Sequence, residues 1–194
     1  FYSRTIKLKA IYDAAGNAAS TSQSNNTVTL NDKTVPTITG TTVTSNNASI
    51  AVTFSEAVYN TSGGSGALEA TDFTLTLSGG TATLSSATPS SISSSSNTYT
   101  LGLSLSGTPN GSETITVVPS SSTAIYDAAG NAASTSQSNN TVTLNDKTAP
   151  TLSSVGIASN NSTTTLAKVA DVVTLTFTAS ETIATPVVTF LSGC

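Results

Sequence analysis

"SIAVTFSE" at residues 49–56 sets Ile50, Val52 and Phe54 on one side and Ala51, Thr53 and Ser55 on the other. A period of two is the mark of a β-strand with one buried face. The pattern recurs on both sides of it. "TITGTTVT" (37–44) precedes it, and "TDFTLTL" (71–77) follows with Phe73, Leu75 and Leu77. The short "TATL" (81–84) comes next, then "TYTLGLSL" (98–105) with Tyr99, Leu101, Leu103 and Leu105. "ETITVV" (113–118) and "NTVTL" (140–144) close the series.

These are seven strands, separated by turn-forming stretches such as "NTSGGSG" (60–66), "SGG" (78–80) and "GTPNGS" (107–112). β-branched Thr and Val suit a pleated, half-exposed surface, so a Thr-rich chain of this kind folds. Helical periodicity is absent, and "ALEAT" (67–71) is too short to stand alone as a helix. Seven short strands in about 110 residues predict an all-β, seven-stranded antiparallel sandwich of immunoglobulin-like type. Its expected core includes Ile50, Val52, Phe54, Leu101, Leu103 and Val117.

Composition narrows the chemistry. Charged residues are 8% of the chain and the net charge is −4, which gives no footprint for nucleic acid. The basic cluster Arg4, Lys7 and Lys9 is too small to change that. No apolar run of about eighteen residues is present, so no membrane insertion is expected in this segment. The chain has no His, which removes Ser-His-Asp and Cys-His pairs and His-ligated zinc; the expectation is a non-enzyme. The single Cys194 forms no internal disulfide and is read as the place where the chain stops rather than as a cross-link. With neither an initiator Met nor a signal peptide, residue 1 is expected not to be a natural start.

One stretch is repeated to the letter. "IYDAAGNAASTSQSNNTVTLNDKT" fills residues 11–34 and again 125–148, a spacing of 114. That period suits one small β domain. It divides the chain into the end of a preceding repeat (1–32), a complete repeat (33–146) and the start of a following repeat (147–194). The last is of a different subtype, because about eleven extra residues, including "TTTLAKVAD", precede "VVTLTFTASE". Linkers fall at 31–36 and 145–150, where Pro36 and Pro150 fix φ and mark strand starts.

"VTFSEAV", "IYDAAGN" and "NDKTAPT", in that order, resemble bacterial immunoglobulin-like tandem repeats of large surface and adhesin-type proteins. The resemblance covers nearly all of the chain beyond residues 1–10. It implies an extracellular, rod-like array on the bacterial cell surface in which most modules are spacers.

In an immunoglobulin-like topology three carboxylates meet at the upstream pole. Asp32 lies in the linker before the first strand, Glu56 closes the second, and Asp127 follows the sixth. Unpaired carboxylates at close range repel, and a hard cation relieves them. Ca2+ takes about 6–8 oxygens, and Asn31, Asn131 and backbone carbonyls are on hand to complete its shell. Asp146 and Glu181 begin the same arrangement at the next joint. A second reading needs no metal: Asp-x-x-Gly-Asn is good turn chemistry, since Asp accepts backbone N–H groups and Gly takes positive φ.

Other features carry less. Sequons at Asn25, Asn47, Asn60, Asn110, Asn139, Asn160 and Asn161 imply no more than an exposed surface in so Asn- and Ser-rich a chain. "SSATPSSISSSSNTYT" (85–100) is read as a flexible edge loop, with O-glycosylation as the other reading.

The functional expectation is a structural or adhesive module, a stiff spacer whose partners are neighbouring repeats of the same chain. Other copies in a filament and cell-surface glycans are further expected partners. One alternative is a self-assembling fibre subunit completed by a neighbour's strands. It is weakened because the equivalents of 76–115 are missing from the two partial repeats. The other alternative is an accessory module of a secreted carbohydrate-active enzyme.

Overall fold

A computed structural model describes residues 3–5, 11–20, 22, 24–25 and 27–189, without the side chains of 3–5. Lys7, Lys9 and Cys194 lie outside the described residues. The chain forms two compact units, Phe1–Asp146 and Lys147–Cys194.

Alternation becomes sheet wherever the sequence offers it, and every pairing among the described residues is antiparallel. The first unit opens with β1 (Ser3–Thr5) paired to β2 (Thr27–Thr29). Next come β3 (Ile38–Val43), β4 (Ser49–Phe54) and β5 (Phe73–Ser78). After them run β6 (Thr83–Leu84), β7 (Ile92–Ser95), β8 (Thr98–Gly102) and β9 (Leu105–Ser106). β10 (Thr114–Pro119) and β11 (Thr141–Thr143) complete the unit. They assemble as a four-stranded sheet in the order β3-β4-β8-β7, a three-stranded sheet β11-β10-β5, and a small ribbon β6-β9.

The core joins residues of the two larger sheets. Ile38, Ile50, Val52 and Leu101 come from the first, and Phe73, Leu75, Ile115 and Val117 from the second. Phe54 and Tyr99 meet edge to face at 5.9 Å, with Phe73 6.4 Å and 6.2 Å from them. The Tyr99 hydroxyl, the polar end of an otherwise buried ring, donates to the Val58 carbonyl at 3.2 Å. All six residues expected in the core are buried.

The strand count differs from the sequence reading. Nine strand segments lie between Ile38 and Thr143 among the described residues. The run 98–105 divides into β8 and β9, and the serine tract holds an edge strand, β7. Ser93, Ser94 and Ser95 bring backbone groups to pair with β8, and Ile92 packs against the core opposite Leu101. Serine has no apolar face to alternate, so periodicity misses a strand held by its backbone. "ALEAT" ends in a 3-10 turn, Ala70–Asp72, where the Asp72 carboxylate accepts from the Glu69 N–H at 2.7 Å. Asn47, one of the sequons read as exposed, is 2% exposed.

In the second unit β12 (Leu152–Ser159) pairs with β13 (Val173–Ala179). The hairpin repeats the construction of β3-β4. Thr37 N–H donates to Ser55 Oγ and Ser55 N–H to the Thr37 carbonyl; Thr151 and Ser180 exchange the same two bonds. Each strand begins two residues after its proline, Pro36 or Pro150.

Candidate functional site

Both copies of Asp-Ala-Ala-Gly-Asn fold into the same turn. Asp13 Oδ1 accepts from the N–H of Ala15 (2.9 Å) and of Asn17 (2.8 Å), and Oδ2 from the Asn17 side-chain amide (2.8 Å). Asp127 does the same with Ala129 (2.9 Å), Asn131 N–H (2.7 Å) and the Asn131 amide (2.7 Å). Gly16 and Gly130 sit at φ +89° and +87°, the left-handed conformation that the turn requires. The motif is locally encoded, since it forms at Asp13 on the surface and at Asp127 in the interior.

The second copy is packed against other elements. A Cβ on Gly130 would lie 2.6 Å from the Ser62 carbonyl, so the 60–66 loop packs directly on the turn. The Asn131 amide also donates to the main-chain carbonyls of Asp32 (3.3 Å) and Thr34 (3.2 Å), fastening the linker to the turn. Ser55, held against Thr37, brings Glu56 to the same place.

Asp32, Glu56 and Asp127 therefore converge, each with a carboxylate oxygen within 4.8 Å of the others. Asp127 is buried, and the other two are half-buried. Burial pushes the Glu56 carboxyl up, and the charges of Asp127 and Asp32 push it further. The Thr34 N–H, 2.9 Å from Asp32 Oδ1, holds that carboxyl below its usual range. The spacing suits a Ca2+ shell, because ligands about 2.3–2.6 Å from an ion lie within roughly 5 Å of one another. The donors are all hard oxygens. The three carboxylates would hold such an ion, which would supply positive charge between them.

The remaining sequence candidates are placed differently. Asn31 is exposed next to Asp32. Asn131 uses its amide nitrogen as a pin, bonding the Asp32 and Thr34 carbonyls and the Asp127 carboxylate. Asp146 closes the first unit and Glu181 lies in the second; among the described residues neither belongs to a three-acid cluster. Glu181 follows Ser180 as Glu56 follows Ser55, so its place within its own hairpin is the same.

Two polar anchors escaped the sequence reading. Asn47 and Asn145 clasp each other at the far end of β3: Asn47 Nδ2 donates to the Asn145 carbonyl (2.7 Å), and Asn145 N–H to Asn47 Oδ1 (2.9 Å). Glu113, fully buried, accepts from the N–H groups of Thr81 (2.7 Å), Ala82 (3.0 Å) and Asn110 (2.9 Å). Burial alone would raise its carboxyl, but these donors outweigh burial and hold it at about 2. Gly80, at φ +61°, leaves room for it, as a Cβ there would fall 2.1 Å from the carboxyl carbon. A signal was present: residues 73–112 carry no charge, and Glu113 ends that run.

Comparison with protein-family models, curated proteins and solved structures finds no match to the chain.

Proposed function

We propose that this chain is a run of immunoglobulin-like repeats from a bacterial cell-surface or extracellular filament protein and that it acts as a stiff, non-enzymatic spacer. The repeats follow the 1–32, 33–146 and 147–194 division. In this reading the sheet β3-β4-β8-β7 is A-B-E-D of an immunoglobulin-type sandwich, and β11-β10-β5 is G-F-C. β6 and β9 are then an added ribbon. The likeness of "VTFSEAV", "IYDAAGN" and "NDKTAPT" to adhesin-type repeats supports the extracellular setting.

The observation that carries the reading is the linker. Residues of the complete repeat hold its backbone through Asn131, and three carboxylates crowd at the same place. A spacer transmits length only when its joints resist bending. Calcium at Asp32, Glu56 and Asp127 stiffens the joint by binding the ordered arrangement in preference to a bent one.

Small-angle scattering of the 194-residue chain in calcium and in chelator tests this. The expected result is a larger radius of gyration and a narrower distance distribution with calcium. Identical curves, together with an unchanged melting temperature, would remove calcium from the proposal. A compact folded-back particle under both conditions would remove the spacer itself.

A further inference from the structure

Asn110-Gly111 is the single Asn-Gly pair in the chain. Glycine has no side chain, so its main-chain nitrogen approaches the carboxamide of a preceding asparagine without obstruction. The pair lies in the turn between β9 and β10, inside the complete repeat, and both residues are half-buried. The turn is held on both sides. The Thr81 hydroxyl donates to the Thr108 carbonyl at 2.9 Å, and Asn110 N–H donates to the Glu113 carboxylate at 2.9 Å. Gly111 sits at φ +79° with Asp146 packed against it, so that a Cβ there would lie 3.2 Å from that of Asp146.

The Asn110 carboxamide is set up to react with that nitrogen. Its Oδ1 accepts from the Ser112 N–H at 3.1 Å, which closes an Asx turn. The ring formed by this bond contains both Asn110 Cγ and the Gly111 nitrogen, so the two atoms are kept together. The same N–H polarises the carboxamide and faces the oxygen on which negative charge would gather under attack. Among the described residues neither Asn110 Nδ2 nor the Gly111 N–H has a hydrogen-bond partner, so the leaving group and the nucleophile are both unrestrained. Asn46 and Asn161 make the same turn through the N–H groups of Ala48 and Thr163. They are followed by Asn47 and Ser162, whose side chains hinder the approach, and Asn161 Nδ2 is bonded to Asp171.

We propose that Asn110 is a self-modification site, converted within the folded chain to aspartate and isoaspartate through a cyclic imide with Gly111. The Gly111 nitrogen gives up its proton to solvent and bonds to Asn110 Cγ. The bond from Cγ to Nδ2 breaks, and that nitrogen takes a proton from water and leaves as ammonia. Water then adds to either carbonyl of the imide and opens it, so water is the only co-reactant. Both products place a new carboxylate on the turn that seats the buried Glu113 and packs against Asp146, where like charges repel. Isoaspartate also routes the main chain through the former side chain and lengthens the link from residue 110 to Gly111. The change is irreversible, so it records the age of the chain and loosens the turn that leads into β10. It uses nothing from the spacer reading.

Incubation of the 194-residue chain at mildly alkaline pH, followed by peptide mapping that separates aspartate from isoaspartate, tests this. The expected result is conversion at Asn110 about tenfold or more faster than at Asn46 or Asn161. Its rate should rise with hydroxide and be no slower than in a synthetic peptide of residues 107–113. The aged chain should melt below the fresh one. Asn110→Ser keeps an oxygen for the Ser112 N–H but has no carboxamide, so it should age without that loss. An Asn110 that outlasts the peptide, or conversion no faster than at Asn46 and Asn161, would overturn the proposal. So would an aged chain that melts like the fresh one, or an equal loss in Asn110→Ser.

Discussion

The side-chain amide of Asn131 donates to the main-chain carbonyl of Thr34 across 3.2 Å and 97 residues of chain. The same nitrogen reaches the Asp32 carbonyl and the Asp127 carboxylate, so one amide ties the linker to the turn that follows β10. Asn17, the identical residue of the first copy, bonds Asp13 in its turn while exposed on the surface. The two residues form an internal control. Asn131→Ala should cost about 1–3 kcal/mol through lost bonds and an underpaired buried carboxylate. Asn17→Ala should cost no more than about 0.5 kcal/mol. Thermal melting measures both, and proteolysis at 31–36 should accelerate in Asn131→Ala alone. Equal effects would deny the pin.

Glu56 is the cluster member held above its ordinary range, by burial first and then by Asp127 and Asp32. Glu56→Gln should therefore melt at or above the parent temperature in chelator at neutral pH. In calcium the order should reverse, because the parent gains about 2.7 kcal/mol at a hundredfold excess over Kd and the variant loses a ligand. A parent melting temperature indifferent to calcium would reduce the three acids to linker and turn chemistry.

The pH dependence has two limbs of opposite sign. A raised carboxyl favours the protonated folded state, so the Glu56 penalty is full above its folded pKa and fades as pH falls toward 4.5. Glu113, lowered from 4.5 to about 2, contributes stability that is complete above 4.5 and is lost as pH falls toward 2. Asp32, also lowered, acts in the same direction as Glu113. In chelator, melting temperature should pass through a maximum in mild acid. Glu56→Gln should flatten the neutral limb and Glu113→Gln the acid limb. A maximum at neutral pH without calcium would contradict the assignment of Glu56.

Phe54 packs edge to face on Tyr99 and against Phe73 at the centre of the first unit. Phe54→Ala should cost about 3–5 kcal/mol, a large share of the stability of a small domain. Urea titration should register this as a lower midpoint at an unchanged slope. A loss below 1 kcal/mol would mean that the two sheets do not close on this ring.

Period-two alternation placed Ile50, Val52 and Phe54 on one face because a pleated strand leaves no other arrangement for successive side chains. The Asp-x-x-Gly-Asn turn was equally legible, since its partners lie two and four residues away. Strand β7 was not, because serines held by backbone pairing leave no apolar signature. The convergence of Asp32, Glu56 and Asp127 followed only once a topology was assumed for the strands between them. The role of Asn131 depends on carbonyls 97 and 99 residues away, and the buried state of Glu113 on N–H groups 31 and 32 residues away. The clearest division is between Ile11 and Ile125, identical in local sequence and turn, one exposed and the other buried. Sequence by itself determined the strands, the turn and the repeat, which are set by bonds between near neighbours. Tertiary structure alone decided which copy is covered, because burial depends on what else the chain brings to that surface.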